Sequence, residues 1–202
     1  MGDPIRIEIG ADLNSAVAPR DVSARGRFVF LTTIALSALV LLVHGQSVGF
    51  GFVPYDDALH VTENPYFAVL GAEDLTQFWL KPLYKLYIPL TYTLWGWLAK
   101  IAQTGLSGDG YHVFSASPFH LVNLVLHLLN TLWVAAIVRC FVKRETCVFL
   151  AAAMFAVHPL VAEPVSWVTG AKDTLHGFLA FGAIWSAIRA GRSTKHPVAW
   201  IM

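Results

Sequence analysis

Four stretches of apolar and small residues dominate the pattern of the chain, and charge bounds most of them. Phe28 to Val43 is uninterrupted and extends through Val48 toward Phe52, which reaches the roughly 20 residues that cross a bilayer. Phe119 to Phe141 is a second run, closed by Arg139, Lys143 and Arg144. Thr146 to Ala162 is a third, interrupted at Pro159, where the missing N–H breaks a helix. Ala171 to Arg189 is a fourth, ending at Arg189, Arg192 and Lys195. The pattern predicts an all-α membrane protein of about four transmembrane helices: 28–49, 119–142, 146–162 and 171–190. A lead (1–27), a long loop (50–118), a short loop (163–170) and a tail (191–202) complete it.

The lead carries Pro4, Gly10, Pro19 and Gly26 without sustained periodicity, and Arg20, Arg25 and Arg27 stand before the first run. A cleaved signal peptide is the rival reading of that run, and the length of the polar lead argues against it. Within the long loop, Tyr87 to Gln103 is apolar, but Pro89, Gly96, Lys100 and its Tyr/Trp content suit a helix lying in the membrane interface. The last residues, His196 to Met202, read as the opening of a further apolar segment, so a truncated chain is expected.

Composition agrees with the pattern: 56% of the 202 residues are hydrophobic and 13% charged, too apolar for a soluble domain. A formal charge of +1 gives no reason to expect nucleic acid. Placement of charge says more than its sum. Segments near 20–27, 139–144 and 189–195 hold nine Lys and Arg, against four (Lys81, Lys85, Lys100 and Lys172) in the two intervening loops. The positive-inside rule then predicts a multi-pass protein with its N terminus in the cytosol. Its membrane is the plasma (inner) membrane in a bacterium, or the endoplasmic reticulum in a eukaryote. Cys140 and Cys147 flank the basic turn on the cytosolic side, where thiols stay reduced.

Three clusters can carry chemistry. Asp56 and Asp57 follow the first run directly. Such a pair can hold a divalent cation, or one acid can act as general base while the other binds, but Asp at a turn or helix cap explains them equally well. His158, Glu163, Lys172 and Asp173 bracket the short loop between the third and fourth runs. Capping explains Asp173, snorkelling explains Lys172 and interfacial anchoring explains Trp167, while His158 and Glu163 are left over. His120, Asn123 and His127 share one helical face. That stripe favours helix packing over metal ligation, because it lacks a Glu and a third ligand.

In order and spacing these residues resemble the polytopic GT-C glycosyltransferases, in particular the transmembrane O-mannosyltransferases that precede tetratricopeptide repeats. The resemblance runs through Tyr55-Asp56-Asp57, Val61-Thr62, Asn64-Pro65, Pro89-Leu90-Thr91, His120-Leu121-Val122-Asn123 with His127, His158-Pro159, Glu163, Val165, Trp167 and Lys172-Asp173. It implies the N-terminal part of a GT-C fold, with interfacial helices in the first external loop. It also implies transfer of a sugar, with mannose the leading candidate, from a polyprenyl-phosphate carrier to a protein hydroxyl or glycan at the exoplasmic face. Asp56, Asp57 and Glu163 take the catalytic positions. His158, Lys172, Asp173, His120, Asn123 and His127 support the site or the donor phosphate, and a divalent cation, Mg or Mn, would sit at Asp57 and Glu163. A non-catalytic membrane scaffold and a small transporter are the competing readings. The transporter fits less well, because the polar residues cluster at the outer ends of the runs.

Overall fold

The structure is a computed structural model that describes residues 22–69 and 71–193. Most of the expected lead and the end of the tail lie outside the described residues. The fold is predominantly helical. Among the described residues two helices are long and apolar enough to cross a membrane, at Gly26–Gly49 and Ser117–Phe141.

The first belongs to α1 (Val22–His44), which starts six residues earlier than the apolar run and passes into a 3-10 turn, Gly45–Gly49. Its faces differ. Leu36 and Val40 are fully buried, while Phe30, Ile34, Leu41 and Leu42 are exposed, as suits a helix whose outer face meets lipid. The second is α5 (Ser117–Phe141), the hub on which α1 and the three helices that follow α5 all pack.

The third run divides. α6 (Glu145–Ala156) has 12 residues, roughly 18 Å at 1.5 Å per residue and too short to cross alone. After His158-Pro159 the chain turns by 49° into a 3-10 turn (Pro159–Val161) and α7 (Ala162–Ser166). Most of the stretch expected as a loop, 163–170, is thus helical, and a further 3-10 turn, Val168–Gly170, leads into α8 (Ala171–Ser193). α8 has the length of a span, but Lys172, Asp173, His176, Arg189 and Arg192 keep it below the apolarity of α1 and α5.

Contacts fix the directions of these helices. Asn130 of α5 bonds the Thr174 carbonyl, Trp133 meets Phe178 and Trp185, and Arg192 bonds the Cys140 carbonyl. α5 and α8 therefore run parallel. α1 runs antiparallel to both: Phe28 lies with Arg139 and Phe141, whereas His44 meets His127.

The polar stripe on α5 fastens the backbone of its neighbours, at breaks and helix ends and once within α8. His120 Nε2 bonds the Gly51 carbonyl at 3.2 Å, and Asn123 Nδ2 bonds the Trp167 carbonyl. His127 Nε2 bonds the Ala156 carbonyl at 3.0 Å, and Asn130 Nδ2 bonds Thr174 at 2.9 Å. His44 of α1 also bonds Ala156, at 2.9 Å. A carbonyl only accepts, so each bonded Nε2 carries the proton. Where a helix breaks inside an apolar medium its freed carbonyls need partners, and this stripe supplies them.

The long loop folds around an aromatic core. α4 (Pro89–Ala102) places Tyr92, Trp95, Leu98 and Ala99 against Phe67, Phe78, Phe114 and Phe119, and Phe78 stacks on Tyr92 at 4.6 Å between centroids. At 14 residues α4 is shorter than a span. The loop also holds two short helices, α2 (Pro65–Ala68) and α3 (Gln77–Leu80), and a hairpin of β1 (Gln103–Leu106) and β2 (His112–Phe114). The hairpin is a small addition to a fold that is helical as expected. Its signal was present in Ser107-Gly108-Asp109-Gly110, a turn composition of the kind that closes hairpins.

Candidate functional site

The two adjacent acids have opposite environments. Asp57 is fully buried. Its Oδ2 accepts from Val53 N at 2.9 Å, and its Oδ1 accepts from both Thr169 N and Thr169 Oγ1, each at 2.9 Å. It ties the start of the long loop to the turn before α8, 112 residues later. Asp56, one residue earlier, is half exposed and faces Lys172 Nζ at 3.9 Å.

Tyr55 carries φ +93, strained for a residue with a Cβ. A Leu59 N bond to the Tyr55 carbonyl and the Asp57 clamp hold that backbone, and together they turn Asp56 outward.

Asp56, Glu163, Trp167, Lys172 and Asp173 line one small cleft of about 30 Å³ with Pro164, Thr169 and Gly170, room for about two waters. Lys172 and Asp173 also line an adjoining apolar groove of about 420 Å³ walled by Trp79, Ile88, Pro89, Leu90, Leu175 and Leu179, with His176 beside them. That volume is within the range of ligand sites. The polar cleft thus opens beside an apolar trough, and α8 contributes the two residues they share.

Four expected site residues, Asp56, Glu163, Lys172 and Asp173, are therefore together. His158 lies apart from the cleft: its Nδ1 accepts from Leu160 N at 3.2 Å and caps the turn after the α6 break. His120, Asn123 and His127 lie beneath the site on α5, bonded to carbonyls. Asn123 grips the carbonyls of Trp167 and Val168, and Trp167 lines the cleft.

The cation expected at Asp57 and Glu163 does not fit this geometry. Both Asp57 oxygens are engaged by three donors in a fully buried position, and Glu163 is exposed on α7. Among the described residues no three His, Cys, Asp or Glu side chains are grouped as metal ligands would be.

Of the other acids in the long loop, Asp74 accepts from Thr76 and from the Gln77 side chain just before α3, and these bonds hold its carboxyl below the usual range. Glu63, Glu73 and Asp109 are exposed away from the cleft.

Two participants carried no clear sequence signal. Thr169, the partner of Asp57, is an ordinary threonine in a short turn. His60 stands one helical turn after Asp56, a spacing that could have found it. Its Nδ1 meets the Tyr92 hydroxyl at 2.7 Å, and its ring lies against Tyr84, Tyr92 and Trp95. Burial pushes the His60 imidazole below its ordinary value, partly offset by Asp56. Burial also raises the Tyr92 phenol, so the pair is neutral at pH 7.

No family model matches the chain, and no curated protein and no solved structure matches it either.

Proposed function

We propose that the chain is a membrane glycosyltransferase, or the N-terminal part of one, that uses a polyprenyl-phosphate-linked sugar. The observation that carries this reading is the juxtaposition of an outward-turned carboxylate, a lysine and an apolar groove. A lipid-linked phosphosugar has three parts, and each finds a chemically matched surface: apolar walls for the polyprenyl chain, Lys172 for the phosphate, and Asp56 and Glu163 for sugar and acceptor.

The chemistry is an inverting displacement. Asp56 takes the proton of the acceptor hydroxyl as its oxygen bonds the anomeric carbon, and the bond from that carbon to the phosphate oxygen breaks. The polyprenyl phosphate leaves with the electron pair. Lys172 balances the leaving charge, and its turn toward phosphate frees Asp56 from the 3.9 Å pairing. Glu163, across the cleft, orients the sugar hydroxyls. Asp57 is a positioning residue that acts through Asp56.

Four crossings of the membrane belong to the same proposal. α8 runs parallel to α5 with the α6–α7 pair returning between them, and Arg139, Lys143, Arg144, Arg189 and Arg192 gather at the end of the bundle opposite Asp56. That separation of charge supports a cytosolic basic end and an exoplasmic cleft. Complementation of protein glycosylation tests the reading. The wild type should restore it, and Asp56→Asn and Glu163→Gln should each reduce it at unchanged protein level; restoration by both variants alike defeats the enzyme reading. A scaffold that retains the fold without activity is the second reading, favoured by one observation: a cleft of about 30 Å³ admits no sugar until Lys172 moves.

A further inference from the structure

At the end of the bundle opposite the cleft, the ends of four helices border a further cavity, of about 530 Å³. It is lined by Phe28 of α1, Arg139, Cys140 and Phe141 of α5, Lys143, Glu145 of α6 and Arg192 of α8. Three cations and one acid give the lining a charge of +2 (three minus one). The acid is already engaged, because Glu145 Oε2 accepts from Arg139 Nε at 3.0 Å. Arg139 Nη2 is buried with no hydrogen-bond partner. Arg192 is anchored through the Cys140 carbonyl and lies over the Phe141 ring, at 5.6 Å from its centroid. Lys143 is exposed, with no bonded partner among the described residues.

We infer that this cavity binds the phosphate of an anionic glycerophospholipid. An orphaned guanidinium nitrogen beside a free ammonium asks for an anion with several acceptor oxygens, which a phosphate supplies. Phe28 and Phe141 give the cavity apolar walls, and the outer face of α1 beside it exposes Phe30 and Leu31. Acyl chains can lie along that face while the headgroup sits among the cations, an arrangement closed to a soluble anion. Basic pockets between membrane helices select anionic headgroups on this principle. The inference is independent of any activity at the opposite end.

Equilibrium binding of short-chain phosphatidylglycerol to the full chain in neutral detergent tests it, with short-chain phosphatidylcholine and inorganic phosphate as comparison ligands. Phosphatidylglycerol should bind, phosphatidylcholine should bind far more weakly, and Lys143→Gln or Arg192→Gln should each raise Kd about fivefold, or about thirtyfold together. Lys143→Gln removes no contact of the fold, so it keeps the test decisive even where Arg192→Gln misfolds. Equal affinity for phosphatidylcholine, an equal loss on Lys100→Gln at the far end, or binding of inorganic phosphate as tight as that of the lipid would each overturn the assignment.

Discussion

Replacing Asp57 by alanine removes one acceptor group and strands three donors: Val53 N, Thr169 N and Thr169 Oγ1, all at 2.9 Å. A buried donor left without a partner costs about 1–3 kcal/mol. Thr169 Oγ1 can rotate and water can enter from the neighbouring cleft, which relieves part of the loss. The expected destabilisation is therefore about 2–4 kcal/mol, the two backbone donors carrying most of it. The neighbouring substitution Asp56→Asn loses only a half-exposed pairing at 3.9 Å, and should change stability by less than about 1 kcal/mol. Equilibrium unfolding by SDS titration in mixed micelles measures both variants. A double-mutant cycle of Asp57→Ala with Thr169→Val should add a coupling of about 1 kcal/mol or more, because the two share a bond. An Asp57→Ala variant as stable as wild type, or an Asp56→Asn variant that costs as much as Asp57→Ala, would rule out the buried clamp.

Stability should also fall with acid in a way that His60 explains. Burial makes the folded chain bind the His60 proton less tightly than the unfolded chain does, so the loss begins as pH drops through about 6.5 and continues to the depressed folded value. Melting curves from pH 7.5 to 5 should show a shallower decline for His60→Gln than for wild type. Gly170→Ala places a Cβ against the Pro164 carbonyl, and unfolding should show a loss of about 1–3 kcal/mol. Asn130→Leu removes the bond to Thr174 that joins α5 to α8; in the same titration it should cost about 0.6–1.7 kcal/mol.

Much of the bundle was legible because apolar runs must be covered and Pro159 must break a helix. The α5 stripe was readable as packing, since His120, Asn123 and His127 share a face. What they grip was not readable: the carbonyls of Gly51, Ala156 and Trp167 are exposed by breaks that only the tertiary path defines. Asp56 and Asp57 are chemically identical in sequence, and what separates an outward acid from a buried clamp is the set of donors around Asp57: Val53 N nearby and Thr169, 112 residues away. The apolar groove was hidden for a similar reason, since Trp79 and Pro89 meet Leu179 only after the loop has folded on α8.

The role proposed for Asp56 is that of the base in a lipid-linked sugar transfer. Its most direct test is the rate of sugar transfer from a radiolabelled polyprenyl-phosphate sugar to an acceptor hydroxyl, measured in membranes carrying the wild type or Asp56→Asn. Loss of a general base lowers such a rate by about 10²–10⁴-fold, and Asp56→Asn should show a fall of that size with unchanged protein level and stability. Equal rates, or no transfer above membranes lacking the protein, would contradict it.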